Sequence, residues 1–157
     1  MINLKNKGIS IIEILIIIAI ISAVVAVILP NLSEFRKQQV LKNTREDVVS
    51  LLNKTRNNTI SSKNSTFYGV HFEQDSATLF ENTFVVDSPT NEKIIFDQAV
   101  SIPSSGGVSL SGGGNDIIFS RITGDTSNNG TIVLQITNDV TKQKIITINK
   151  IGIISSN

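Results

Sequence analysis

The feature that most constrains this chain is an apolar run near its N-terminus, from Ile9 to Leu29, which is 21 residues long. As an α-helix such a run is roughly 32 Å long at about 1.5 Å per residue, close to the hydrocarbon core of a bilayer. From Ile11 to Leu29 the only polar side chains are Glu13 and Ser22. A carboxylate at mid-bilayer costs on the order of 3 kcal/mol, so the presence of Glu13 needs a physical reason.

Two common kinds of N-terminal segment fit this run poorly. A secretory signal peptide has an apolar region of about 7–15 residues followed by an A-x-A-like site. This run is longer, and its end, SAVVAVILP, has no such site. A plain membrane anchor accounts for the length but leaves Glu13 unexplained. Charge alone leaves the orientation open, because Lys5 and Lys7 precede the run and basic residues also follow it.

The residues at the start of the run carry a family resemblance. A short basic leader, MINLKNKG, ends in Gly8, and Glu13 is the fifth residue after that glycine. Pro30 lies 22 residues past Gly8. The stretch KG-ISIIEIL therefore resembles the class III signal of type IV pilins and type II secretion pseudopilins. One departure is Ile9, where that family usually has Phe.

The resemblance implies a role for each of these residues. Prepilin peptidase would cut between Gly8 and Ile9 at the cytoplasmic face and then methylate the new amine of Ile9. Glu13 would pair with the N-terminal amine of a neighbouring subunit, and Pro30 would bend the helix. Independently of the resemblance, the first turn of a helix favours an anion because the helix dipole is positive there.

The resemblance also implies a location and partners. The chain would cross the cytoplasmic (inner) membrane once, with its C-terminal head outside, and would then enter an extracellular or periplasmic filament. Its partners would be other pilin or pseudopilin subunits, prepilin peptidase, the inner-membrane assembly platform and membrane lipid.

Residues 30–60 are expected to continue as an amphipathic helical stem. Apolar or small side chains recur close to a helical period and predict a face packed on a sheet. They are Leu32, Phe35, Gln39/Val40, Thr44, Val48, Leu51/Leu52, Thr55 and Thr59. The stem has an excess of basic residues that could bind phosphate, but a solvated or subunit-facing surface is the expected role. Its charged residues are Arg36, Lys37, Lys42, Arg45, Lys54 and Arg56, against Glu34, Glu46 and Asp47.

After residue 60 the pattern changes to short runs rich in β-branched residues, separated by Gly, Asn, Asp, Ser and Pro. These runs predict strands at 66–73, 78–86, 92–100, 116–122, 131–136 and 144–150. Their spacing favours two antiparallel sheets or a sandwich. The absence of βαβ alternation argues against a nucleotide-binding α/β fold. The expected fold class is α+β and pilin-like, a long N-terminal helix packed on an antiparallel β-rich head.

The last third of the chain resembles one branch of that family, the GspH/FimT type of minor pseudopilin. The pieces that carry the resemblance are IIFSRITG, NNGTIVLQI and IITINKIG. DNA-binding members of the FimT branch carry a basic motif after the last glycine. Here the corresponding residues are Gly152, Ile153, Ile154 and Ser155, without arginine. From residue 61 onward the chain has 6 basic and 9 acidic side chains, so weak DNA binding is expected, with a small patch at Lys142, Lys144 and Lys150 left open.

Few residues suggest chemistry. The chain has no cysteine, which excludes a disulfide framework, a thiol nucleophile and a Cys-ligated zinc site. His71 is the single histidine and makes neither a zinc site nor a catalytic pair, so a core or surface role is expected. Neither a catalytic residue, a cofactor nor a metal is predicted. The glycine-rich stretch 101–114 lacks the lysine of a phosphate loop and predicts a flexible loop.

The loop GDTSNNGT (124–131) raises the question of calcium. Asp125, Ser127 and Asn129 alternate before Gly130, but an EF-hand needs a bidentate glutamate where this chain has Ile136. Asn-Gly between two strand-like runs is a hairpin signal, and a turn is therefore preferred to an ion site.

These observations divide the chain into a leader (1–8), a transmembrane and assembly helix (9–29), a stem (30–60) and a head (61–157). The expected function is that of a structural, non-enzymatic subunit of a type IV pilus or type II secretion pseudopilus, of the GspH/FimT-like minor type. Three alternatives stay open: a DNA-binding competence pilin, a major pilin, and an uncleaved membrane anchor that carries an extracellular ligand-binding β domain.

Overall fold

A computed structural model of the chain describes residues 9–61 and 65–157. In these residues one helix, α1 (Ile11–Ile60), precedes a series of short strands. The strands are β1 (Tyr68–Phe72), β2 (Ser76–Glu81), β3 (Glu92–Ile95), β4 (Val100–Ser101), β5 (Val108–Leu110), β6 (Asp116–Ile118), β7 (Gly130–Ile136), β8 (Asp139–Ile148) and β9 (Ile154–Ser156). The chain divides into two compact units, Met1–Arg36 and Lys37–Asn157, so the stem beyond residue 36 shares a unit with the strands.

The strands of the second unit form two antiparallel sheets. The first sheet has the order β3-β2-β1-β6. The second has the order β4-β7-β8-β9, and β5 also pairs with β7. The predicted α+β class, with a long N-terminal helix on antiparallel sheets, is confirmed.

One core joins the stem to both sheets. Its members are Leu41, Val48, Leu51, Leu52, Tyr68, Val70, Phe72, Ala77, Leu79, Phe96, Val100, Ile102, Ile117, Phe119, Ile132, Leu134, Ile136, Ile146 and Ile148. The predicted stripe is confirmed from Thr44 to Thr59 but is wrong at its start. Phe35 and Leu32 are exposed and Leu41 is buried instead, because the face that meets the sheets begins only within the second unit.

Two threonines of the stripe are fully buried without losing their hydrogen bonds. The Thr55 hydroxyl donates to the Leu51 carbonyl at 2.7 Å, and the Thr59 hydroxyl donates to the Thr55 carbonyl at 3.0 Å. Thr59 also accepts the backbone N–H of Tyr68 at 3.1 Å, which connects the end of α1 to the first strand. A buried hydroxyl costs free energy unless it is paired, and these three bonds meet that need.

Several details of the predicted strands are wrong. The run 92–100 is split between β3 and β4, which belong to different sheets. The run 78–86 leaves the sheet after Glu81, because Asn82 turns the backbone with a φ of 61°. The glycine-rich stretch 101–114 contains β5 and is not wholly loop. The Asn129-Gly130 pair does not close a hairpin: β6 pairs with β1 in the first sheet, whereas β7 pairs within the second. The segment between them crosses from sheet to sheet.

Candidate functional site

The candidate site is the N-terminal end of α1, where the sequence predicts cleavage and assembly. The Ser10 carbonyl accepts hydrogen bonds from the backbone N–H groups of Glu13 at 3.0 Å and Ile14 at 3.2 Å. Ser10 is therefore the N-cap, and Glu13 is the third residue of the helix. Serine at the N-cap with glutamate three residues later is the capping-box pattern, a signal in the sequence that was missed. The two side-chain hydrogen bonds of a capping box are not made among the described residues, so only the position of Glu13 at the positive end of the helix dipole favours its charge.

The polar side chains of the apolar run differ in how they are satisfied. The Ser22 hydroxyl donates to the Ile18 carbonyl at 2.8 Å, so its hydrogen bond is made within the helix. The Glu13 carboxylate is exposed and makes no hydrogen bond or ion pair with any residue in 9–61 or 65–157. An unpaired carboxylate among isoleucines is the group in this run that most needs a partner from outside.

The first part of α1 presents an apolar surface on all sides. Its large aliphatic side chains are between 44% exposed, at Val25, and 79% exposed, at Ile11. The helix is long and apolar enough to cross a membrane. Helices that are apolar all round are covered by lipid or by protein, so this surface identifies α1 as the part of the chain that needs an external partner.

The roles predicted for Gly8, Ile9, Glu13 and Pro30 stay predictions. Gly8 and the leader that precedes it lie outside the described residues, which begin at Ile9 on the other side of the predicted cleavage site. Pro30 lies inside α1, and the helix continues through it. The bend expected at Pro30 is not decided by the bounds of the helix.

His71 lies on β1 between two buried residues that face the core, so its own side chain is on the outer face of the first sheet. Its Nδ1 atom is 2.5 Å from Oδ1 of Asp116, on the neighbouring β6. Its ring stacks on Phe84, with ring centroids 3.8 Å apart and an interplanar angle of 11°. Phe84 in turn meets the ring of the buried Phe80 edge to face. His71 thus holds the loop after β2 against the sheet.

The polar groups of the 124–131 loop form hydrogen bonds with neighbouring parts of the chain. The Asp125 carboxylate accepts a hydrogen bond from the Thr123 hydroxyl, and this bond is the main cause of the lowered pKa of Asp125. The Ser111 hydroxyl contacts the Ser127 carbonyl at 2.8 Å and the Asn129 side-chain oxygen at 3.1 Å. Within the described ranges no group of three or more His, Cys, Asp or Glu residues could hold a metal ion. The loop is therefore a connection that is held by hydrogen bonds from Thr123 and Ser111.

The basic residues do not gather into one patch. Lys142 and Lys144 lie within β8, whereas Lys150 follows the end of that strand. The six residue steps of strand from Lys142 to Ile148 alone span about 20 Å at about 3.4 Å per residue, so Lys142 and Lys150 lie at opposite ends of β8 and do not form one patch. Lys142 is also 3.2 Å from Asp139, and Lys54 pairs with Glu92 at 2.5 Å.

The glycines of the GspH/FimT-like pieces have a clear structural role. Gly124 and Gly152 both have positive φ, and a Cβ on Gly152 would lie 1.9 Å from the Gly124 carbonyl oxygen. Arg56, near the end of α1, donates from Nε to that same carbonyl at 3.0 Å and from Nη2 to the Ile151 carbonyl at 3.4 Å. The two loops therefore contact each other at Gly124 and Gly152 beside Arg56, which explains the glycine at the end of the first and third pieces.

Known proteins give no neighbour for this arrangement: neither protein-family models, curated proteins nor solved structures yield a match to the chain. The resemblance to pilins and pseudopilins therefore stands on the motif residues quoted above, and the geometry at the start of α1 is the basis for a functional hypothesis.

Proposed function

We propose that the chain is a structural subunit of a type IV pilus or type II secretion pseudopilus, of the GspH/FimT-like minor type, and not an enzyme. It is stored in the cytoplasmic membrane through α1, with its head outside. Prepilin peptidase removes the leader after Gly8, and the subunit then enters a filament. The observation that carries this proposal is the Glu13 carboxylate, which has no partner among residues 9–61 and 65–157 and lies at the first turn of an apolar, exposed helix.

The chemistry of cleavage would supply the partner that Glu13 lacks. Hydrolysis of the Gly8–Ile9 peptide bond consumes one water and leaves a carboxylate on Gly8 and an ammonium group on Ile9. A carboxylate and an ammonium attract each other strongly where water is scarce. Pairing of Glu13 with the amine of a neighbouring subunit would neutralise both charges, while the apolar surfaces of adjacent helices replace lipid contacts.

The first experiment is mass spectrometry of the N-terminus of the native protein. The proposal expects a chain that begins with N-methyl-Ile9. An intact Met1 in cells that contain prepilin peptidase contradicts it and favours the uncleaved anchor.

A separate experiment tests the DNA-binding alternative. The processed full chain in detergent is titrated with duplex DNA at physiological salt, where the acidic excess of the head predicts that the DNA is not retarded in a gel.

The second experiment separates the charge of Glu13 from its helix-capping role. Glutamine satisfies a capping box as glutamate does, but it cannot form an ion pair. Glu13→Gln and Glu13→Ala are therefore both expected to be cleaved normally and to lose incorporation into filaments. Ser22→Ala is the matched control, because it removes the other polar side chain of the run, and incorporation is expected to be unchanged.

The two glutamate variants can also contradict the proposal. If Glu13→Gln assembles like the wild type and only Glu13→Ala fails, then helix capping accounts for Glu13 and the pairing role is wrong. If both variants assemble normally, Glu13 has no part in assembly.

A further inference from the structure

The loop after β6 holds an aliphatic residue in an unusual conformation. Ile122 has a φ of 73°. The N–H of Thr123 donates to the Arg121 carbonyl across it at 2.8 Å. This bond spans two residues around a positive φ, which defines the rare and strained form of the γ-turn. A β-branched residue is a true outlier there. The Ile122 side chain is nevertheless 76% exposed, so packing within the chain offsets little of the strain.

The surrounding loop keeps Ile122 in this position. The Ser120 N–H donates to the Asp125 carbonyl at 2.8 Å, and the Ser120 carbonyl accepts the Gly124 N–H at 2.9 Å. The Thr123 hydroxyl also donates to the Asp125 carboxylate. These bonds close a ring of backbone around Ile122, and strained residues persist where the surroundings over-determine them, commonly at functional sites.

Two further aliphatic side chains are exposed in the adjoining loop. Ile151 and Ile153 lie on either side of Gly152, and Gly152 is in contact with Gly124, two residues after Ile122. We call Ile122, Ile151 and Ile153 the Ile122 patch. Contact between the two loops, secured by the stem arginine described above, makes the patch part of a rigid surface.

A second exposed apolar feature lies in the loop after β2. Val85 and Val86, here called the Val85 turn, are both exposed. The loop is anchored on one side by the stacked Phe84 ring. On the other side the Val85 carbonyl accepts the Ser88 N–H at 3.3 Å and the Asn91 side-chain amide at 2.8 Å. These contacts hold the loop that carries the two exposed valines against the sheet.

The topology places the two features on opposite flanks of one strand. β2 and β6 pair with opposite edges of β1. Glu81, at the end of β2, is opposite Tyr68, and Ile118, at the end of β6, is opposite Gly69. Both loops consequently leave the sheet at the same end, on either side of β1. A contact between unlike patches of two copies is heterologous, and if it does not close into a ring it repeats into an open array.

The charges beside the two features are complementary in sign. Exposed Arg121 and Lys150 adjoin the Ile122 patch and outnumber the one carboxylate of its loop, Asp125, whereas exposed Asp87 directly follows the Val85 turn. We propose that the Ile122 patch of one copy docks on the Val85 turn of the next copy, with the heads side by side. The contact removes exposed aliphatic surface from water and gives the strained residue a function. It rests on the proposed function for the filament that brings successive copies together.

Cysteine cross-linking in the full-length protein tests this contact, and the chain has no cysteine of its own to interfere. Cells that express Ile122→Cys and Val86→Cys copies together are expected to give a mixed disulfide dimer on mild oxidation. One chain that carries both substitutions is expected to give a ladder of oligomers. Val140→Cys replaces Val86→Cys in the control, since Val140 is comparably exposed on β8. Equal linking of the control, or linking of Ile122→Cys only to itself, overturns the proposal.

A second variant separates the contact from folding. Ile122→Gly suits a positive φ, so the head is expected to fold at least as well as the wild type. Combined with cysteines at Ile151 and Val86, it is expected to reduce the ladder about thirtyfold, the smallest effect that defines an interface hot spot. An unchanged ladder overturns the proposed role of Ile122.

The N-terminal mass of the same samples distinguishes the two proposals. Chains that begin with N-methyl-Ile9 but do not cross-link overturn the head contact and leave the proposed function standing. Unprocessed chains that cross-link overturn the proposed function and leave the contact standing. Unprocessed chains that do not cross-link overturn both.

Discussion

The two apolar regions of this protein use the same residue types and end in opposite environments. Ile12, in the first part of α1, is 63% exposed, whereas Ile132, in the centre of β7, is 0% exposed. The head surrounds its isoleucines with a stem and two sheets, but the first unit offers a single helix. Apolar composition thus indicates that a surface has to be covered, but only the surrounding structure determines what covers it.

This contrast implies that the two regions depend on different partners. The core of the second unit is built entirely from residues of that unit, from Leu41 to Ile148. In the first unit the backbone hydrogen bonds are made within the helix, whereas the side chains depend on the surroundings for contacts. Stability of the head and assembly of the helix are therefore expected to respond to different substitutions.

The largest expected effect compares truncations in the two regions. Phe119→Ala empties a fully buried site and is expected to lower the free energy of unfolding of the head by about 3–5 kcal/mol. Ile17→Ala, on the exposed helix, is expected to leave that free energy unchanged. Denaturant unfolding of the full chain in detergent, followed by circular dichroism at strand wavelengths, measures both. A comparable loss for Ile17→Ala would show that the helix contributes to the stability of the head.

A smaller effect of opposite sign is expected at Ile122. Glycine relieves backbone strain of about 1–3 kcal/mol and costs about 0.5–1 kcal/mol in unfolded-state entropy. Ile122→Gly should therefore raise the free energy of unfolding by about 1 kcal/mol. Ile153→Gly is the control, since Ile153 has no positive φ and should lose stability. A lower melting temperature for Ile122→Gly would mean that its side chain packs within the head.

The smallest effect expected is a loss of head stability in acid. A hydrogen bond from Lys93, and then one from Ser76, lowers the pKa of Glu73. A hydrogen bond from Thr141 is the first cause of the lowered pKa of Asp139. A folded pKa below the unfolded value gives stability that is present above the unfolded pKa and is lost as pH falls through the folded pKa.

The melting temperature of the head should therefore be flat from neutral pH down to about 5 and should fall below about 4, where carboxylates titrate. These carboxylates are close to the surface, so the change is modest. Asp139→Asn should reduce the slope below pH 4, and an unaltered slope would remove Asp139 from the set of responsible groups.

Several parts of the fold could be predicted because they depend on local patterns. The helical period of the stem is visible from Thr44 to Thr59, and β-branched runs identify most of the longer strands. The short strands β5 and β9 were missed because two or three paired residues leave no period to detect. The hairpin predicted at Asn129-Gly130 was wrong because this residue pair indicates a turn but does not determine which strands pair after it.

The functional features likewise include some that the sequence predicts and some that only the structure shows. The position of Glu13 relative to Gly8, and the capping sequence Ser10-x-x-Glu13, are readable from the order of residues alone. The Ile122 patch is not, because its members lie in two loops that meet only through Gly124 and Gly152. The strain at Ile122 is likewise a product of the ring of hydrogen bonds around it.

By itself, the sequence determined the long apolar helix, its single acid, the amphipathic stem and the strand-rich head, because these follow from periodicity and composition over neighbouring residues. Tertiary structure alone decided which strands share a sheet, that Arg56 joins two glycine loops, and that Ile122 and Val85 face outward on opposite flanks of β1. Such pairings depend on contacts between residues far apart in the chain, where the free energies of many competing arrangements differ by little.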